Sequence, residues 1–209
     1  MRDRKRRPNL LKPAVFTLSL LPLAWLVWQA LFGYLGVNPV ETVNRFLGDW
    51  ALRFLLIALA VTPVRKVTGW TRLGRLRRML GLYAFFYASL HLASYVGLDL
   101  FFDWQALWKD VVKRRYITLG MTAFVLLIPL AVTSTNAMIR RLGGRRWQAL
   151  HRVVYVIGVL AVAHYWMMVK ADIREPAVYA AVLGVLLGYR VLAAWMGRRR
   201  SAVLGSTGG

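Results

Sequence analysis

Three histidines, His91, His151 and His164, are the only imidazoles in a chain that contains no cysteine. The missing thiols exclude disulfides and cysteine-bound metal or iron–sulfur sites, so any redox chemistry needs a bound cofactor. All three histidines stand in long apolar runs, where an ionisable side chain costs energy unless it is paired, ligated or used. The bland role for each is a neutral packing residue held by a hydrogen bond. Their spacing argues for more. His91 lies thirteen residues after Arg78 and His164 twelve after Arg152, each arginine being the last before the apolar part of its run. Where both runs leave the same membrane face, a rise of about 1.5 Å per residue puts the two rings at nearly one depth. Two imidazoles at one depth on different helices can supply both axial ligands of a haem standing between them. Haem is favoured over a bare ion because no Asp or Glu lies in the apolar interior of a run to complete a carboxylate-containing site.

His151 precedes His164 by thirteen residues on the same run, roughly 20 Å along a helix, which makes a second level. On an ideal helix the two point about 140° apart, so a shared inward face requires tilt, curvature or a bulky cofactor. At this level the third run offers Arg78 instead of a histidine. Three alternatives follow: no inner haem, an inner haem with a non-histidine second ligand, or another cofactor at His151. Arg77, Arg78 and Arg152 are candidate partners for haem propionates, flavin phosphate or lipid phosphate, all anionic, against an ordinary role in setting topology. Arg53, inside the second run near its outer boundary, is a candidate for propionates of an outer haem or for headgroups. Met167 and Met168 are weaker thioether candidates. Thr133–Asn136 (TSTN) offers hydroxyls to a headgroup or quinone, or caps a helix end.

These residues must be positioned by membrane helices. Of 209 residues 58% are hydrophobic and 18% charged, with mean hydropathy +0.49, too little polar surface for a soluble globule of this size. The apolar runs are Ala14–Leu35, Trp50–Val64, Met79–Phe102, Ile117–Ser134, Trp147–Lys170 and Ala177–Met196. The first exceeds the apolar core of a secretory signal and no small-residue cleavage site follows it, so it reads as a retained span. The formal charge of +21 has no nucleic-acid motif beside it; the basic residues sit between apolar runs. Nineteen fall on the side holding both ends and seven on the other, while acids divide one against seven. That bias predicts six spans with both termini cytoplasmic. The organisation is a basic cytoplasmic N-terminus over 1–13, a membrane domain over 14–196 and a tail over 197–209, rich in small residues and expected to be disordered. Gly36–Asp49 reads as a loop on its Asn-Pro turn signal. Tryptophans at span ends, among them Trp50 and Trp147, read as an interfacial belt.

The stretches RRMLGLYAFFYASLHLASY, LGDWALRFLLIALAVTPVRK and the run from RRYITLGMTAF through TSTNAM and WQALHR to AHYW resemble the MsrQ (YedZ) family. These are haem-binding membrane subunits of bacterial periplasmic methionine sulfoxide reductase systems, within the ferric-reductase-like membrane domain group. The resemblance covers about Leu20 to Arg190. It implies an all-α, six-helix membrane bundle in the bacterial inner membrane, with haem between spans three and five. It also implies an electron-transfer subunit in place of a catalytic one. Electrons would come from quinol, with FMN as a further cofactor, pass through one or two b-type haems, and leave to a periplasmic molybdopterin-containing methionine sulfoxide reductase subunit. By position, His91 and His164 match the outer ligand pair and His151 the inner ligand. Arg78 departs from the family group's two histidine pairs. The alternative is a stand-alone haem-containing ferric or quinone reductase.

Overall fold

A computed structural model describes residues 10–169 and 171–206, which form helices and turns. The basic residues from Arg2 to Arg7, like Lys170, lie outside the described residues. Six stretches are long and apolar enough to cross a membrane: Leu11–Leu31, Pro39–Thr68, Arg77–Asp99, Arg115–Val132, Gly144–Met168 and Arg174–Met196. The chain is an all-α, multi-pass membrane protein, as its apolar runs predict. Nine α-helices are present among the described residues: α1 (Leu11–Leu31), α2 (Pro39–Thr68), α3 (Arg77–Ser94), α4 (Trp104–Lys113), α5 (Arg115–Val132), α6 (Asn136–Leu142), α7 (Gly144–His151), α8 (Val154–Met168) and α9 (Arg174–Ser206).

Helix α2 carries much of the core, burying Leu47, Leu52, Phe54, Leu55, Leu56, Ala58, Leu59 and Val61. It packs chiefly on α3, while α5 packs chiefly on α8, so two antiparallel helix pairs face each other. Its start corrects the sequence reading, because Pro39–Asp49 is helical and not loop. Asn38 is the N-cap, its side chain accepting the Glu41 N–H, and Pro39 occupies the first turn, where its missing N–H costs nothing. Glu41 and Arg45 pair one turn apart at 2.6 Å. Asn-Pro here begins a helix. Thirty residues give about 45 Å, longer than the roughly 30 Å hydrocarbon core, so α2 carries polar groups beyond the apolar layer. Gly69, left-handed at φ 70°, ends it.

The connection between spans three and four also differs from a plain loop. A π-helical turn, Tyr95–Asp99, closes span three, and α4 follows, capped by Asp103, whose carboxylate accepts from Gln105 and Ala106 N–H. Between them Phe101 and Phe102 adopt positive φ of 49° and 62°, a conformation bulky side chains rarely hold. Span five is two helices. Arg152, Val153 and Tyr155 each donate to the carbonyl three residues back at 3.1–3.2 Å. Such tightened turns advance about 20° more per residue than α-helix, bringing the expected angle between His151 and His164 from about 140° down to about 80°. The last helix continues past Met196 to Ser206, so the stretch from Gly197 to Ser206 is helical where the sequence reading expected disorder; Trp195 carries the Arg199 guanidinium over its ring at 3.7 Å.

Candidate functional site

The facing helix pairs enclose a cavity of about 450 Å³ that holds His91 of α3 and His164 of α8. Each imidazole is pinned by a backbone carbonyl from its partner helix. His91 Nδ1 lies 2.9 Å from Asn44 O on α2, and His164 Nδ1 lies 2.6 Å from Tyr116 O on α5. A carbonyl only accepts, so Nδ1 carries the proton in both neutral rings and Nε2 keeps its lone pair. Metal-binding histidines are oriented in this way. The ring centroids are 6.3 Å apart, with planes at 72°. A metal bonded to both Nε2 atoms from opposite sides, at about 2.0 Å each with about 1.1 Å from nitrogen to centroid, needs roughly 6.2 Å. The centroid separation therefore matches what one central metal ion would need. Among the described residues no group of three His, Asp or Glu side chains converges to form an ion site, so a metal held by this pair would need further ligands from elsewhere.

The walls suit a flat group. Ala84, Ala88, Ala123 and Ala161 line the cavity together with Gly48 and Gly120. A Cβ on Gly48 would stand 3.1 Å from the His91 ring, and one on Gly120 only 2.8 Å from His164 Nδ1. Glycine inside a helix costs about 1 kcal/mol; here it lets each imidazole lie against the backbone of the opposite helix.

A second cavity of about 250 Å³ shares Leu55 and Leu127 with the first and contains Arg77, Arg78, Trp147 and His151. Its histidine is held differently. Thr133 Oγ1 donates to Pro129 O at 2.6 Å, so toward His151 Nε2, 3.1 Å away, it can only accept. His151 Nε2 thus carries the proton, and Trp147 stacks on the ring at 3.9 Å. The TSTN segment is used throughout: Thr133 serves His151, Thr135 caps α6 through the Met138 N–H, and Asn136 accepts from Arg78 Nη1 at 2.6 Å.

The arginines divide. Arg77 and Arg78 reach the second cavity. Arg152 is exposed at the break between α7 and α8 and lines neither cavity. Arg53 turns away from the histidine pair, donating from Nε to the Tyr179 hydroxyl at 2.9 Å and lying 3.7 Å from Asp49. The arginines on the first cavity's wall are Arg45 and Arg114. Arg190 of α9 is held by the Tyr155 hydroxyl and Leu59 O, both at 2.8 Å. Met168 lines the first cavity and Met167 is exposed. Trp147 belongs to the His151 stack, and Trp50 packs between Phe46 and Phe54 with its Nε1 buried; neither is simply an interfacial anchor. Sequence reading missed Asn44, Gly48, Tyr116 and Gly120. Only Gly120 left a trace, as an isolated helix breaker inside an apolar run; Gly48 fell in the stretch read as a loop.

Residues 47–162 match the family of ferric reductase like transmembrane components. Three relatives carry the name protein-methionine-sulfoxide reductase heme-binding subunit MsrQ. That of Rhodospirillum rubrum is 57% identical over 197 residues, 94% of each chain. That of Caulobacter vibrioides is 51% identical over 204 residues, 95% of this chain and 96% of the relative. The Herminiimonas arsenicoxydans protein is 50% identical over 201 residues, 95% and 92% of the two chains. With this similarity running nearly end to end, and the matched segment spanning α3 and α5 with most of α2 and α8, the chain belongs to the MsrQ family of ferric-reductase-like transmembrane proteins.

Proposed function

We propose that this protein is a haem-carrying electron-transfer subunit of a methionine sulfoxide reductase system, with His91 and His164 as the axial ligands of a b-type haem. The observation that carries the reading is the imidazole pair, with centroids 6.3 Å apart and each Nδ1 on a carbonyl. A haem held by this pair would supply the ligands that no side chain provides and a one-electron iron couple. The chain's own residues orient the two imidazoles, keep their tautomer and shield the group with alanine, leucine and phenylalanine walls. The names of the relatives support haem and a reductase partner.

The basic bias supports a bacterial inner-membrane orientation with both termini cytoplasmic, which turns the mouth of the paired-histidine cavity toward the periplasm. Electrons then come from membrane quinol, with FMN as a further cofactor near the Arg77–His151 cavity. They leave outward to a periplasmic molybdopterin-containing subunit that reduces methionine sulfoxide in damaged proteins. The protein is the electron conduit and its partner performs the reduction.

The test is a pyridine haemochrome assay with reduced-minus-oxidised spectra on detergent-purified wild type and three variants. At least one haem per chain is expected, with one low-spin spectrum lost from both His91→Ala and His164→Ala and kept in His151→Ala. A folded but colourless wild type would end this reading. Haem near two per chain, with the second lost in His151→Ala, assigns the inner group to the second cavity. Electron transfer from quinol to the molybdenum partner, without equal transfer to free iron, separates the conduit from a stand-alone ferric reductase.

A further inference from the structure

We propose that Asp110 is a positioning residue of the centre held by His91 and His164, acting through the charge and placement of Arg114. The proposal rests on the haem reading above. Asp110 joins three elements. Its Oδ2 accepts from the Tyr95 hydroxyl, in the π-helical turn that closes span three, at 2.6 Å. Its Oδ1 lies 3.1 Å from Nε of Arg114, at the junction of α4 and α5. The Asp110 side chain is only 15% exposed, against 53% for Arg114, so the acid is the fixed member and the guanidinium is held to it. Tyr95, Arg114 and Tyr116 all line the cavity.

From Arg114 the path continues to the ligand. Arg114 Nη1 donates to the Tyr116 hydroxyl at 3.4 Å, and the Tyr116 carbonyl receives His164 Nδ1–H at 2.6 Å. Thr118 Oγ1 donates to Val111 O at 2.6 Å, tying α4 to α5 beside this path. The other charges on the cavity wall are Arg45, which is paired with Glu41 at 2.6 Å, and the carboxylates Asp49 and Asp99. Asp110 thus compensates an arginine that lines the histidine cavity and keeps it against the segment that orients His164.

A cation beside a one-electron centre favours its reduced form; the Asp110 carboxylate, 15% exposed, is weakly screened, and the half-exposed Arg114 more strongly. Asp110→Asn keeps an acceptor for Tyr95 but leaves Arg114 uncompensated. The reduction equilibrium then shifts toward reduced haem by about three- to tenfold, tenfold being about 59 mV for one electron. Arg114→Gln shifts it the other way. The double variant returns close to wild type, since the two residues act as one unit, and Asp110→Glu restores the wild-type value.

The experiment is a spectroscopic redox titration of the detergent-purified full chain and these variants, with haem content recorded for each. Opposite shifts in the two single variants are the expected result. Unmoved midpoints, or shifts of the same sign, in haem-replete variants overturn the role of Asp110 while leaving the haem reading intact. Should Asp110→Asn fail to fold, Arg114→Gln and Asp110→Glu decide: a midpoint unchanged in the first, or displaced in the second, overturns the proposal. A wild type without haem sinks the site reading itself, which is a different failure.

Discussion

The two cavities share Leu55 and Leu127 as walls yet hold their histidines in opposite ways. In the larger cavity both imidazoles give their Nδ1 protons to backbone carbonyls, so both Nε2 lone pairs are available to a metal. In the smaller one, His151 engages Thr133 through Nε2 and lies flat on Trp147, while the matching side offers Arg77 and Arg78. A backbone carbonyl is a fixed partner that rotates no further, whereas a threonine hydroxyl and a stacked indole are side chains that can release the ring. The larger site is preorganised for a metal, and the smaller one has to exchange a hydrogen bond before His151 Nε2 could bind one. His91 and His164 lie deeper than His151, which ends a short helix, but the nitrogen that is occupied is what distinguishes them chemically.

The strongest way to break this contrast is to remove the ligands. His91→Ala and His164→Ala should each eliminate the same low-spin haem, and His151→Ala should leave it in place; spectra unchanged in both of the first two would refute the pairing. Next comes Gly120→Ala, whose Cβ would meet His164 Nδ1 at 2.8 Å. Overpacking of this kind costs about 1–3 kcal/mol, so haem content and thermal stability in detergent should both fall. Gly48→Ala, with 3.1 Å to His91, should do less, and a reversed order would argue against ring placement as the reason for the glycines. Thr133→Val tests the other site. It strips His151 Nε2–H of its acceptor and should lower stability by about 1 kcal/mol without altering the His91–His164 spectrum; a changed spectrum would mean the cavities are not independent. The smallest effect belongs to Arg53→Gln. A partly exposed pair at 3.7 Å contributes below about 1 kcal/mol, and loss of haem in this variant would show that Arg53 reaches the cofactor after all.

Much of the fold was legible in the chain because hydrocarbon admits few solutions. A backbone crossing it must satisfy its own polar groups, so apolar runs of sufficient length become helices. The matched depth of His91 and His164 followed from counting residues after Arg78 and Arg152, since rise per residue is fixed. Boundaries were harder. Asn38-Pro39 satisfies the rules for both a turn and a helix start, and the cap to Glu41 N–H decides between them only in three dimensions. Arg53 looked like a cofactor partner because its depth was right, but depth says nothing of direction, and its side chain turns to Tyr179. Asp110 looked like one acid of a loop, because its partners Tyr95 and Arg114 meet only once α4 folds back between spans.

Composition, run length and residue type are local quantities, and they were enough for the class of molecule, the number of spans and the three imidazoles able to ligate a metal. Tertiary structure alone decided which nitrogen of each histidine is free. That depends on a carbonyl forty-seven residues before His91 and another forty-eight before His164, and helix packing is what brings them within hydrogen-bonding distance.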